Sequence, residues 1–246
     1  MGTQKLGPAL ITGNTLVVKV SEKAPLSPLA LAKCCQGIEL PKGVVRHIAT
    51  RKLSVTRPTA TGKAIKKAMA ESDLKNVTVE LGGKSPLIVF DDADPEKAAS
   101  TLAFSILKGS GKACIASSRV FVQSTIADEF TKALKTTMAQ LGTCGDPLAA
   151  GTLRGTQVDH LQFGRVMGFL NEAKESGLEM VIGDDCQGET GYFVQSTITK
   201  EVPEDPRVFK EEVFGPVVIL NTFDDEEAVL QSANNTSFGL YASVFT

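Results

Sequence analysis

The stretch NVTVELGGKSPLIVFDDADPEKAASTLAFSILKG, residues 76–109, contains apolar runs joined by a glycine pair and followed by an amphipathic segment. NVTVEL and PLIVF have the β-branched content and the length of strands. Asp94 followed by Pro95 is typical of a helix start, because aspartate accepts hydrogen bonds from the first free amides and proline fits the first turn. We therefore predict strand, bend, strand and helix in this order.

The same alternation of strand-like and helix-like segments extends along the rest of the chain. The other predicted strands are residues 15–20, 118–123, 180–183, 216–223 and 242–246, and the predicted helices are residues 24–37, 93–109, 125–142, 158–177 and 224–235. Strands that alternate with helices predict an α/β fold with a largely parallel sheet. The glycine pair, Gly82 and Gly83, permits either a bend between two domains or the floor of a site.

The composition excludes several classes of function. The 246 residues are 42% hydrophobic, and 26 basic and 28 acidic residues give a formal net charge of -2. No block of like charge predicts a nucleic-acid or membrane partner, and we expect a cytoplasmic protein without a signal peptide. The five cysteines are scattered and the chain has only two histidines, which argues against a disulfide framework and against a metal site.

Cys114 lies in GSGKACIASSR, residues 109–119, just before a predicted strand. A thiol acts as a nucleophile only as the thiolate, which needs access and a positive potential nearby. The small neighbours leave room for a substrate, and Lys112 adds positive charge. A single cysteine is more often a small buried hydrophobe, so from this segment alone both interpretations stay open.

Charged residues at the ends of predicted strands are further candidates. Glu80 ends a strand beside the glycine pair, where desolvation would raise the pKa of its carboxyl group and suit a general base. Lys19 and Glu22 follow the strand 15–20, and in α/β folds ligands bind beyond the carboxyl ends of strands. The alternative for all of them is an ordinary solvated residue at a strand end.

Motifs in a fixed order connect these candidates. The segments are PALITGNTLVVKVSEKAPLSPLALA (8–32), VTVELGGKSPLIVFDDADPEKA (77–98), GKACIASSRVFVQ (111–123), GYFVQSTI (191–198), KEEVFGPVVIL (210–220) and ANNTSFGLYASVFT (233–246). Their order and spacing resemble the aldehyde dehydrogenase superfamily. The resemblance implies a partial Rossmann-like NAD(P)-binding domain over residues 1–82 and an α/β catalytic domain over residues 83–246.

The resemblance also implies a reaction and its residues. Cys114 matches the family's catalytic cysteine and Glu80 its general base, so an aldehyde would be oxidised to a carboxylic acid through a thiohemiacetal and a thioester, with NAD, or alternatively NADP, as the cofactor. The residues that match cofactor contacts are Lys19, Glu22, Gly62, Leu81, Glu212 and Phe214, together with Gln162 and Arg165 as further ribose contacts. A glutamate at position 22 favours NAD, because a 2′-phosphate would meet like charge.

The chain also departs from the family pattern. Against that pattern we expect it to be truncated at both ends, and only nine residues separate Val45 from Val55, fewer than a parallel crossover needs. Lys112 stands where the family has glutamine or glutamate. An alternative function is therefore an inactive remnant that acts by binding, as a homo-oligomer or with a full-length relative, and another is a redox role of Cys114.

Overall fold

Residues 2–38, 40, 52–72 and 74–246 are described by a computed structural model. The chain divides into two units, Met1–Leu81 and Gly82–Thr246, which are described separately below. The assignment of a cofactor domain to residues 1–82 and a catalytic domain to residues 83–246 stays a prediction. Within the described ranges, no helix is long and apolar enough to cross a membrane.

The first unit contains a short parallel strand pair and several helices. Its elements are α1 (Gly2–Ile11), α2 (Leu26–Gly37), β1 (Lys52–Thr56), α3 (Thr59–Glu71) and β2 (Asn76–Glu80). In the β1–β2 pair, Lys52 lies opposite Asn76 and Thr56 lies opposite Glu80. The helix α1 was not predicted, because Gly7 and Pro8 within it disfavour a helix.

The predicted strand at residues 15–20 is wrong. This segment has no regular secondary structure, and Val17 and Val18 are each 48% exposed. A strand becomes stable only when a neighbour pairs with its backbone groups, and none of the described residues of the first unit pairs with it. Most of the short connection from Val45 to Val55 lies outside the described residues.

The second unit is built around a mixed, mainly parallel sheet. Its elements are β3 (Ser85–Val89), α4 (Pro95–Leu107), β4 (Ser117–Gln123), α5 (Ala127–Leu141), α6 (His160–Glu175), β5 (Glu179–Ile182), β6 (Thr197–Lys200), α7 (Arg207–Lys210), β7 (Val217–Phe223), α8 (Glu226–Asn234) and β8 (Ser243–Phe245). The strand order is β5-β6-β7-β4-β3-β8, and only the β5–β6 pair is antiparallel. The predicted α/β fold with a largely parallel sheet is confirmed.

Helices cover both faces of this sheet. Leu87 and Val89 of β3 are buried in one core with residues of α4 and α5, whereas Ile88 is buried in a second core with residues of α6 and α8. This division follows from the alternation of side chains along a strand. Each fully buried leucine or phenylalanine contributes about 1.5–3 kcal/mol, so the sheet is a rigid platform for the loops at its ends.

Asp94 caps α4 as predicted, and its removal should destabilise the second unit. Its carboxylate accepts hydrogen bonds from the amides of Glu96 and Lys97, each at 3.0 Å. We expect Asp94→Ala to lower the free energy of unfolding by about 1 kcal/mol. Urea unfolding followed by tyrosine fluorescence measures this, because Tyr192 and Tyr241 both lie in the second unit and the chain has no tryptophan.

The matched control is Asp92→Ala, which removes an exposed carboxylate ahead of the helix. It should change the free energy of unfolding little. Equal destabilisation by the two substitutions would show that the cap contributes nothing specific.

Candidate active site

The loop that leads to Cys114 has an unusual backbone conformation. Gly109, Ser110 and Gly111 have φ angles of 65°, 57° and 75°, in the left-handed region. A serine seldom adopts this region, and here Ser110 is buried and held on both sides. Its hydroxyl donates to the Gly155 carbonyl at 2.6 Å, and its own carbonyl accepts from Gln157 Nε2 at 3.2 Å. These bonds fix the loop in one conformation.

Glycines let this loop approach two other segments. A Cβ atom on Gly111 would collide with the carbonyl group of Gly215 and with the nitrogen of Pro216. A Cβ atom on Gly83 would collide with the carbonyl oxygen of Cys114. Cys114 itself is half-buried, and its carbonyl oxygen lies against Gly83. The predicted nucleophile therefore lies in a constrained turn of the second unit.

The segment Glu212–Gly215 completes this arrangement. Glu212 Oε1 accepts a hydrogen bond from the amide of Gly83 at 3.1 Å, and a Cβ atom on Gly82 would collide with Glu212 Oε2. Burial raises the pKa of Glu212, and the bond from Gly83 opposes this shift. A small cavity of about 10 Å³, room for about one water, lies between the Cys114 loop, the glycine pair and Glu212–Gly215.

Gln162 and Arg165 bind the backbone of this segment. Gln162 Nε2 donates to the carbonyls of Val213 at 3.3 Å and Phe214 at 2.9 Å. Arg165 Nη2 donates to the carbonyl of Glu212 at 2.9 Å. The contact of these side chains with a ribose stays a prediction, and in the structure Gln162 Nε2 and Arg165 Nη2 bind carbonyl groups of the protein.

Glu80 departs from its predicted environment. It ends β2 and is exposed, so the burial on which the expected desolvation rested is not seen. Its carbonyl accepts a hydrogen bond from the Arg57 amide at 3.0 Å, which ties the end of β2 to the residue after β1. The structure therefore gives Glu80 contact with water but no buried pocket.

The other predicted residues of the first unit lie on its surface or against α3. Lys19 and Glu22 are exposed. The pKa of Glu22 is lowered, first by a hydrogen bond from its own backbone amide and then by the charges of Lys19 and Lys23. Gly62 is buried in α3, and a Cβ atom there would stand 2.5 Å from Leu81 Cδ2. Gly62 of α3 and Leu81, the residue after β2, are thus in contact.

Two lysines have depressed pKa values because of burial that the sequence analysis did not predict. Lys84 is only 1% exposed, its Nζ donates to the Val208 carbonyl at 2.7 Å, and burial lowers its pKa to about 7, with the charge of Arg119 adding to the effect. Lys112 Nζ donates to the Thr156 carbonyl at 3.0 Å, and burial, followed by Arg154, lowers its pKa to about 8. Nothing in the local pattern around either lysine indicates such burial.

A larger cavity, about 290 Å³, lies elsewhere in the second unit. It is lined by Lys84, Ser85, Pro86 and residues of the segment 233–242, and it includes none of the predicted site residues. We therefore centre the candidate site on Cys114. Among the described residues, no three side chains of His, Cys, Asp or Glu are grouped as a metal ion would require.

Comparison with known proteins identifies the family of the chain. The aldehyde dehydrogenase family profile matches residues 1–246. The chain belongs to the aldehyde dehydrogenase family. An aldehyde dehydrogenase of Alternaria alternata is 41% identical over 261 residues, which cover 100% of this chain and 52% of the relative. The chain thus spans about half the length of the curated relatives that it matches.

Solved aldehyde dehydrogenases have the same fold. The indole-3-acetaldehyde dehydrogenase of P. syringae, solved with NAD+ and IAA, superposes with a TM-score of 0.96 at 34% identity, covering 100% of this chain and 53% of that one. An NADP-dependent enzyme of E. coli superposes with a TM-score of 0.94 at 36% identity, covering 99% of this chain and 53% of that one. The likeness to these solved structures therefore covers 99–100% of this chain.

Gly111 should be far less tolerant of a side chain than Gly109. Both have positive φ angles, but a Cβ atom on Gly109 meets nothing within 4 Å, whereas on Gly111 it collides with Gly215. We expect Gly109→Ala to cost about 1 kcal/mol of strain and Gly111→Ala several times more. Urea unfolding of both variants measures the difference, and equal costs would contradict the close contact.

Lys112 should make the stability of the second unit rise with pH. Its pKa in the folded protein, about 8, lies below the ordinary 10.5. Between these values the unfolded chain binds more protons, so the free energy of unfolding increases with pH. We expect this increase to be smaller in Lys112→Gln.

Urea unfolding followed by circular dichroism should be compared between about pH 7.5 and 9.5, below the titration of tyrosine. Lys108→Gln, which removes an exposed amine nearby, is the control and should keep the wild-type dependence. A Lys112→Gln variant with the same pH dependence as the wild type would contradict the assignment.

Proposed function

We propose that the protein oxidises an aldehyde to a carboxylic acid with NAD(P)+, with Cys114 as the nucleophile and Glu80 as the general base. The observation that carries the proposal is the packing of the Cys114 loop against Gly83 and the Glu212–Gly215 segment. This packing joins the predicted nucleophile to two predicted cofactor contacts, Glu212 and Phe214. Family membership supports the same chemistry.

The residues present fit a nicotinamide dinucleotide. Gly83 is bound to Glu212 Oε1, and a carboxylate has about four acceptor sites, so Glu212 can also accept ribose hydroxyls. Phe214 is half-buried beside it. In the first unit, the exposed Glu22 carboxylate suits a ribose diol and disfavours a 2′-phosphate, which makes NAD the preferred cofactor and NADP the alternative. Solved relatives include one bound to NAD+ and one described as NADP-dependent.

The chemistry proceeds through bonds to Cys114. The thiolate sulfur adds to the carbonyl carbon, and the carbonyl electron pair moves to oxygen, which gives a thiohemiacetal. Bound NAD(P)+ would supply the oxidant that takes the hydride from this carbon, so that the carbonyl bond re-forms as a thioester of Cys114. Glu80, exposed to water, then takes a proton from the attacking water, the carbon–sulfur bond breaks, and the acid leaves with the thiolate restored.

Substitution of the two catalytic residues should have different effects. Mixed with NAD+ and a panel of short, long and aromatic aldehydes, the wild type should generate reduced cofactor, followed by its absorbance. Cys114→Ala should abolish the signal, and Glu80→Gln should leave a single burst with turnover slowed by about 10²–10⁴-fold, since only release of the acid needs the base.

Cys186→Ala, which removes another half-buried thiol, is the matched control and should keep the wild-type rate. A rate that survives Cys114→Ala, or no rate from folded wild-type protein with any aldehyde and either cofactor, would contradict the proposal.

Association with another aldehyde dehydrogenase chain is a second candidate function. The helix α2 has no buried residue, and Leu26 and Leu29 on it are 78% and 53% exposed. Apolar side chains left in water favour burial against a partner, either a second copy or a full-length relative. Size-exclusion chromatography with and without a full-length relative tests this, and a monomer that stays unassociated in both cases contradicts it.

A cytoplasmic location, favoured by the free cysteines, completes the proposal.

A further inference from the structure

The turn at Glu212–Gly215 has a conformation that its sequence does not favour. Phe214 has a φ angle of 59°, in the left-handed region, where a bulky residue is a genuine outlier. Such a conformation persists only when the surrounding structure imposes it. Contacts outside the turn must therefore hold Phe214 in place.

One face of α6 supplies those contacts. Gln162 Nε2 donates to the carbonyls of Val213 and Phe214, and the amide group has only two N–H donors, so both are used. Arg165 Nη2 donates to the carbonyl of Glu212. A Cβ atom on Gly215 would stand 2.7 Å from Val166 Cγ2, so Gly215 also packs on this face. Four consecutive residues of the turn are thus held by α6.

The start of α6 is itself fixed. Asp159 caps the helix, and its side chain accepts a hydrogen bond from the Gln162 amide at 2.9 Å. The Arg165 guanidinium also lies 3.8 Å from Glu211 Oε2 and over the ring of the buried Phe169. Both side chains therefore project toward the turn from a defined backbone.

We infer that Gln162 and Arg165 are positioning residues, which hold the Glu212–Gly215 turn in its left-handed conformation. The positioning role rests on the contacts above, and its consequence for cofactor binding and catalysis rests on the proposed function. The turn in question carries Glu212 and Phe214, and its Gly215 carbonyl lies against Gly111 of the Cys114 loop. The first turns of α6 thereby set the geometry of the cofactor contacts and support the loop of the nucleophile.

Hydrogen–deuterium exchange tests the inference without any cofactor. Gln162→Leu removes both donors and keeps the helix, so amide exchange in residues 211–216 should accelerate by about tenfold or more. Exchange in β4 and α4 should stay at the wild-type rate, which shows that the fold is intact. Asn171→Leu makes the matching change at an exposed position of α6 and should leave residues 211–216 unchanged.

A second substitution separates positioning from a general structural effect. Glycine adopts positive φ without strain, so in a Phe214→Gly background the turn no longer needs Gln162 to hold it. The double variant Gln162→Leu/Phe214→Gly should therefore exchange in residues 211–216 at a rate within about threefold of the rate in Phe214→Gly alone. If Gln162→Leu does not fold, Gln162→Glu takes its place, because it has the same shape and lacks the amide donor. Unchanged exchange in the folded Gln162 variant, or no recovery in the double variant, would overturn the inference.

Binding of NAD+, measured by calorimetry, distinguishes this inference from the proposed function. Where the wild type binds NAD+, the Gln162 variant should bind more weakly, by about tenfold, and the double variant should stay weak because Phe214 is lost. Wild-type protein that fails to bind NAD+ would count against the proposed function, while the exchange experiment would still decide whether Gln162 holds the turn.

Discussion

The close approach of three backbone segments is the constraint on which the candidate site depends. A methyl group added to Gly83 or to Gly111 would collide with a neighbouring main chain, and one added to Gly215 would collide with the side chain of Val166. Because backbone atoms cannot move aside as a flexible side chain can, these contacts fix the Cys114 loop relative to β3 and to the segment before β7. The sheet is rigid, and the close contacts at the glycines hold the Cys114 loop in place against it.

Burial of charge is the second feature of the site. Lys84, Lys112 and Glu212 all have pKa values displaced toward their neutral forms, and burial is the main cause in each case. Perturbed ionisable groups of this kind cluster at functional sites, although structural networks also produce them. Lys84 binds the carbonyl of Val208 and Lys112 binds that of Thr156, so each lysine joins two segments of the second unit.

The sequence predicts the second unit well because its signals are local. The alternation of apolar residues and the Asp94 cap define β3 and α4, and the ordered motifs identify the family. The segment 15–20 was mistaken for a strand, since pairing depends on distant residues that its own composition does not reveal. The protein contacts of Lys84, Gln162 and Arg165 could not be predicted from neighbouring residues for the same reason: their partners lie on segments remote in sequence.

The central claim is that Cys114 forms a covalent bond to the substrate carbon. Acid-quenched mixtures of Glu80→Gln protein, NAD+ and an aldehyde, digested and analysed by mass spectrometry, test it most directly. The account predicts an acyl group, with the mass of the aldehyde less two hydrogens, on the peptide that contains Cys114. An acyl group on any of the other cysteines instead, or an unmodified Cys114 in protein that reduces NAD+, would contradict it.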